Sequence, residues 1–148
     1  SGDEFSASRG RGAMLNGRRI RVSGRTRLEQ SVVGTGFPFR TDQMDHLDAY
    51  MGMFRDLVTT TAGIRRPGAA ALDLAWVASG RYDGFFEYGL SEWDIAAGSL
   101  LIIEAGGLVS DLRGGHDYLH HGGIVAGTPK VFKALLQKIQ PHLTPTMR

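Results

Sequence analysis

The sequence predicts an α/β fold with a short β-hairpin at its N-terminal end. Three observations carry that prediction. Apolar runs of strand length and of helix length alternate from Ser31 onward. Asn16-Gly17 separates two short apolar runs, which is a strong type I′ hairpin signal. Glycine and proline mark the boundaries between most of these runs.

In chain order, Phe5-Ser6-Ala7-Ser8 reads as the end of a strand, and Met14-Leu15 and Ile20-Arg21-Val22 flank the Asn16-Gly17 turn. A lone hairpin is marginal in water, so this one should belong to a larger sheet. Residues 23–30 are the linker candidate, which divides the chain into a hairpin over 1–24 and an α/β domain over 25–148. Ser31 to Gly36 reads as a short buried strand running into a glycine turn. Thr41 or Asp42 can cap a helix over 42–60, with Met44, Leu47, Met51, Phe54 and Val58 as its apolar stripe. Ile64 to Gly68 breaks that helix and opens another over Ala69 to Ser79, with Leu72, Ala75 and Trp76 on its apolar face and Gly80 as C-cap. Tyr82 to Tyr88 reads as a strand, Trp93 to Ala105 as an apolar helix stopped by Gly106-Gly107, and Leu108-Val109 as a further strand. Gly114 to Gly123 reads as a loop and Ile124 to Ala126 as a strand. Thr128-Pro129 caps a last helix to about Ile139, and residues 141–148 should fray.

Composition bounds the function. With 148 residues the chain can bury a core of its own, and 42% hydrophobic with 22% charged residues is ordinary for a globular domain. No apolar run reaches membrane-spanning length. There is no cysteine, hence neither a disulfide framework nor a thiolate metal site, a composition that fits the cytoplasm. A net charge of +2 argues against the whole chain being an electrostatic nucleic-acid binder. Arg9, Arg11, Arg18, Arg19, Arg21, Arg25 and Arg27 nevertheless crowd the first 27 residues against Asp3 and Glu4. Without interleaved aromatics they read first as a solvated face and only second as a nucleic-acid patch.

The most informative run is Glu92-Trp93-Asp94-Ile95-Ala96-Ala97-Gly98, followed by Glu104-Ala105-Gly106-Gly107. It places a carboxylate at a helix start, where Asp94 can offer oxygen ligands to Mg²⁺ or, with Ser91, simply cap the helix. Glu87 ends the preceding strand, where the local reading is an exposed strand-end residue. Gly68-Ala69-Ala70-Ala71 opens a helix, where small residues allow tight packing or close approach of a ligand to backbone N–H groups. His116, His120 and His121 lie in a glycine-rich stretch without a frame that would make them a metal site.

Together these motifs resemble the C-terminal signature of the inositol monophosphatase family of Mg²⁺-dependent sugar-phosphate phosphatases. The resemblance runs from Phe5 to about Ile139. Gly34-Thr35-Gly36-Phe37-Pro38-Phe39 resembles a strand-end segment of bacterial members, and Ser8 to Gly17 resembles the family's mid-chain hairpin. It implies half of a layered αβαβα sandwich, with Asp94 as a metal ligand and Glu87, Gly68 and Ala70 around the substrate hydroxyls. Arg65, Asp83 and Trp93 are then structural supports, with Arg65 expected to pair with Asp83.

The implied reaction is hydrolysis of a phosphate monoester, inositol monophosphate first. Relaxed action on fructose 1,6-bisphosphate or NADP is the alternative, as is a regulatory partnership with the transcription and rRNA-processing machinery. Family members also carry an upstream Asp-Pro-x-Asp-Gly-Thr motif and an earlier Glu that supply most of the metal ligands and a water-activating Thr. No Asp-Pro pair occurs in this sequence. The chain is therefore expected to be a C-terminal portion, without catalytic residues of its own and inactive alone, with exposed strand edges that favour pairing between chains; family members are dimers.

Overall fold

The structure is a computed structural model that describes residues 3–36, 46–66, 70–121, 123–145 and 147. Strands β1 (Phe5–Ser8), β2 (Gly12–Leu15) and β3 (Arg18–Ile20) form an antiparallel meander. Asn16 and Gly17 connect β2 to β3 with φ of 51° and 81°, the left-handed pair that a type I′ turn requires. The turn between β1 and β2 is closed by the Arg11 amide donating to the Ser8 carbonyl at 2.9 Å.

The second sheet contains β4 (Val32–Thr35), β5 (Gly63–Arg65), β6 (Gly84–Glu87), β7 (Leu108–Ser110) and β8 (Ile124–Gly127), in the order β5-β4-β6-β8-β7. Strands β5, β4 and β6 are parallel, and β8 runs antiparallel to both of its neighbours. Helix α1 (Leu47–Thr60) joins β4 to β5, and α2 (Ala70–Ala78) joins β5 to β6 on the other side of β4. The strand order thus reverses at β4, which opens a crevice at the carboxyl ends of β4 and β6. Open α/β sheets bind ligands at such a switch point. Helices α3 (Glu92–Glu104), α4 (Tyr118–His121) and α5 (Pro129–Ile139) complete the fold.

Period-2 alternation sends neighbouring strand residues to opposite faces of the sheet. Phe85 joins a core with Leu74, Ala78, Ile95 and Ile102 of α2 and α3. Phe86 joins a second core with Tyr50, Met53 and Leu57 of α1 and Val131, Leu135 and Ile139 of α5. The meander closes over the far side of α3, contributing buried Ala13 with Phe5, Ala7, Ile20 and Val22 to the first core. The result is four layers: helices, sheet, helices, sheet.

Four expectations are corrected. Helix α1 turns Tyr50, Met53 and Leu57 inward, whereas Leu47, Met51 and Val58 are 36%, 40% and 50% exposed; Phe54 is partly buried, and Met44 with the Thr41 or Asp42 cap lies outside the described residues. The helix is rotated by roughly a quarter turn from the expected phase, because Tyr50 packs as an apolar residue while its hydroxyl meets Thr35 at 3.2 Å. The segment around Ile64 is not only a helix break but an edge strand beside β4. Tyr118 to His121, expected as loop, form a single helical turn. The tail does not fray throughout. Arg113 Nε and Nη2 donate to the Met147 and Thr144 carbonyls at 3.1 and 2.7 Å, and Met147 is buried. Among the described residues, no helix is long and apolar enough to cross a membrane.

Candidate active site

The crevice at the carboxyl ends of β4 and β6 collects the acidic residues. Glu87 ends β6 on the same sheet face as Phe85, beneath α2 and α3. Gly36, just past β4, lies so close that a Cβ there would overlap the Glu87 carboxylate and force it to move. Burial, then the nearby charges of Asp73 and Asp94, raise Glu87 to about 8. It therefore holds a proton over much of the neutral range, in a pocket suited to exchanging hydrogen bonds with hydroxyl groups.

Asp94 lies in the first turn of α3. Its amide donates to the Ser91 hydroxyl at 3.3 Å, and that hydroxyl donates back to Asp94 Oδ2 at 3.0 Å. The capping reading is thus realised in the geometry, while Oδ1 makes no hydrogen bond among the described residues. Capping and ligation are compatible roles for the two oxygens. Gly98 on the same helix lets Leu74 of α2 approach so closely that a side chain there would collide with it. Ala96 and Ala97 face solvent, so the tight helix contact comes from Gly98 rather than the alanines.

Ala70 is the first residue of α2, and Gly68 lies outside the described residues. The expected Arg65–Asp83 pair is not formed. Asp83 is buried, with Oδ1 accepting from the Ser23 hydroxyl and Oδ2 from the Val32 amide at 2.8 Å. It ties the 23–30 segment to the start of β4, while the Arg65 guanidinium turns back on the Ile64 carbonyl at 3.1 Å. Trp93 supports nothing within the described structure, being 86% exposed beside Asp94. His120 is hydrogen-bonded to Asp117 at 2.7 Å on the surface.

Sequence reading missed Asp73. It is 1% exposed on α2, and burial raises it to about 7. The signal was present as a single acid inside an apolar helical run, Leu72-Asp73-Leu74. It also missed Tyr50, whose phenol is pushed up first by burial, with Glu87 adding to the shift. Among the described residues, no three acids or histidines converge as a metal site would require. A Mg²⁺ site takes one or two protein carboxylates together with water and substrate oxygens; Asp94 could serve as one such carboxylate, and the described residues do not form a multi-metal centre.

The inositol monophosphatase family matches residues 1–144, and the chain belongs to that family of phosphatases. It is similar to the Nus factor SuhB of Pseudomonas aeruginosa, 67% identical over 146 residues, covering 99% of this chain and 54% of that one. The Nus factor SuhB of Escherichia coli is 49% identical over 144 residues, covering 97% of this chain and 53% of that one. Among solved structures, the extragenic suppressor protein SuhB of Bartonella henselae superimposes with a TM-score of 0.89 at 43% identity, over 95% of this chain and 53% of that one. The inositol monophosphatase of Anabaena does so with a TM-score of 0.88 at 37% identity, over 97% of this chain and 56% of that one. The chain spans about half the length of the curated relatives it matches.

Proposed function

We propose that this chain is the C-terminal portion of a Mg²⁺-dependent phosphatase that hydrolyses inositol monophosphate. The observation that carries the reading is the juxtaposition of Glu87 and Asp94 at the switch point of the sheet, in a chain of this family. Asp94 contributes one oxygen ligand to Mg²⁺. Glu87, with the backbone of Gly68 and Ala70, orients the polyol. Bound Mg²⁺ supplies charge neutralisation and water activation. The remaining ligands belong to the family's upstream Asp-Pro-x-Asp-Gly-Thr motif, so the chain alone is inactive. A cytoplasmic homodimer is the setting we propose.

The test is steady-state hydrolysis of inositol 1-phosphate by a longer polypeptide carrying that upstream motif. Asp94→Asn is expected to remove turnover, and Glu87→Gln to raise KM more than it lowers kcat. Should Glu87→Gln leave the preference for inositol 1-phosphate over fructose 1,6-bisphosphate or NADP unchanged, a relaxed sugar- or nucleotide-phosphate phosphatase replaces the inositol reading.

A second reading has its own support. Relatives of this chain are named Nus factors, and all seven arginines between Arg9 and Arg27 are exposed. A salt-dependent RNA or partner-protein pull-down that survives Asp94→Asn would favour a regulatory role.

A further inference from the structure

A cavity of about 500 Å³ opens at the amino ends of β4 and β6, the opposite end of these strands from the acidic crevice. Residues 23–26 and Gln30 line it from one side of the chain and Gly80-Arg81 from the other, with Val32 and Asp83 completing the lining. The fold holds these walls in place. Asp83 Oδ1 accepts from the Ser23 hydroxyl, and Oδ2 accepts from the Val32 amide at 2.8 Å. The Arg25 carbonyl accepts from the Thr128 hydroxyl at 2.8 Å, and the Arg25 amide donates to Ser23 Oγ at 3.3 Å. Gly80, at φ 82°, brings the end of α2 against the other wall: an added Cβ would stand 3.4 Å from the Arg21 carbonyl oxygen and from the Ser23 amide nitrogen. The Arg81 guanidinium lies 6.0 Å from the Trp76 ring centroid, a cation–π distance that restrains the side chain.

The polar groups of this lining are unevenly satisfied. The acceptors are engaged, since both Asp83 oxygens and the Ser23 hydroxyl take part in the bonds just given. The donors are not. Among the described residues, no hydrogen bond is made by the Gly24 or Thr26 amide, the Thr26 hydroxyl, the Gln30 carboxamide or either guanidinium, and neither Arg25 nor Arg81 has an ion-pair partner. Nearby Arg27 and Glu29 pair with each other and leave this balance unchanged. Two cations therefore share the cavity with one carboxylate whose oxygens are already occupied. A lining rich in free donors and short of free acceptors selects an anion.

We propose that this cavity is a binding site for the phosphate group of a small phosphorylated solute, held by the guanidiniums of Arg25 and Arg81 together with the 23–26 backbone. The guanidinium fork fits carboxylate and phosphate oxygens alike, so the number of donors decides between them. Two guanidiniums, two amides, a hydroxyl and a carboxamide exceed what the two oxygens of a carboxylate accept. A phosphate monoester offers three charged oxygens and close to two negative charges at neutral pH. The cavity volume is in the range of small-molecule sites. The proposal uses neither Glu87 nor Asp94, and it stands or falls separately from hydrolysis in the crevice.

The test is an NMR titration of this chain with inorganic phosphate, at an ionic strength held constant with sodium chloride. The expected result is saturable movement of the Gly24 and Thr26 amide signals in the millimolar range or below. Arg25→Gln and Arg81→Gln should each weaken the affinity by about tenfold, the loss of one charge-assisted contact. Arg9→Gln, in the turn between β1 and β2, should leave it unchanged. Should Arg81→Gln fail to fold for want of its contact with Trp76, Arg25→Gln decides, since that guanidinium makes no hydrogen bond among the described residues. Three results overturn the proposal. One is the absence of saturable movement at these amides, or equal movement with chloride alone. Another is a loss in Arg9→Gln as large as in Arg25→Gln, which would mean a diffuse basic surface. The third is movement of these amides by a single-stranded RNA oligonucleotide but not by inorganic phosphate, which would assign the arginines to nucleic acid.

Discussion

Glu87 is the residue on which structure and chemistry meet. Its folded-state value of about 8 lies above the ordinary 4.5, so between these values the native state keeps a proton that the unfolded chain has lost. Stability is therefore highest at the acid end of this window and falls as pH rises through it. Glu87→Gln removes that dependence. The variant should match wild type near pH 4 and exceed it near pH 9 by up to about 5 kcal/mol, since each tenfold difference in proton affinity between the folded and unfolded states corresponds to about 1.4 kcal/mol. Thermal melts followed by circular dichroism across that range check this; parallel curves would mean that Glu87 is not held in a low-dielectric pocket. The residue-level roles were only partly legible in the sequence. Asp94 and Glu87 stood at the ends of recognisable elements, which is where the fold places them. Asp83 was assigned the wrong partner, because the Ser23 hydroxyl and the Val32 amide that satisfy it are brought up by folding and leave no mark on its neighbours in sequence.

The elements were read best where a local rule decides them. The Asn16-Gly17 turn and the Thr128-Pro129 start of α5 follow from backbone preference alone, and both occur where expected, although the Thr128 hydroxyl donates to the Arg25 carbonyl at 2.8 Å instead of capping the helix. Edge strand β5 was missed because three residues carry little periodicity. The phase of α1 was missed because hydropathy ranks Met51 and Val58 above Tyr50, while packing selects the face that meets α5 and the sheet. Adjacent positions test the observed phase. Leu57→Ala, at a fully buried site, should cost about 2–5 kcal/mol in urea unfolding, and Val58→Ala, half exposed, less than about 1 kcal/mol. Equal losses would contradict the orientation of α1. The α2–α3 contact depends on Gly98, where a side chain would run into Leu74. Gly98→Ala should destabilise by about 1–3 kcal/mol despite the better helix propensity of alanine, and a gain in urea midpoint would show that the helices have room to part.

At the scale of the whole molecule, the sheet, its two helical faces and the meander form one connected body. Glu104 at the end of α3 accepts from the Gly10 and Gly12 amides at 3.0 and 2.8 Å, and the Val22 amide donates to the Ala105 carbonyl at 3.0 Å. The proposed division of the sequence at residue 24 thus falls in a segment that crosses from the meander to the sheet along α3. The acidic crevice and the exposed arginines give the molecule two chemically different surfaces, in keeping with a family that contains both inositol monophosphatases and Nus factors. On the proposed function, the crevice is one part of a phosphatase site whose other ligands lie in the family's upstream motif. The measurement that tests it most directly is Mg²⁺-dependent phosphate release from inositol 1-phosphate, by this chain and by a longer polypeptide carrying that motif, side by side. Turnover is expected only in the longer polypeptide, and Asp94→Asn abolishes it. Turnover by this chain alone, or turnover by the longer one that survives Asp94→Asn, would contradict it.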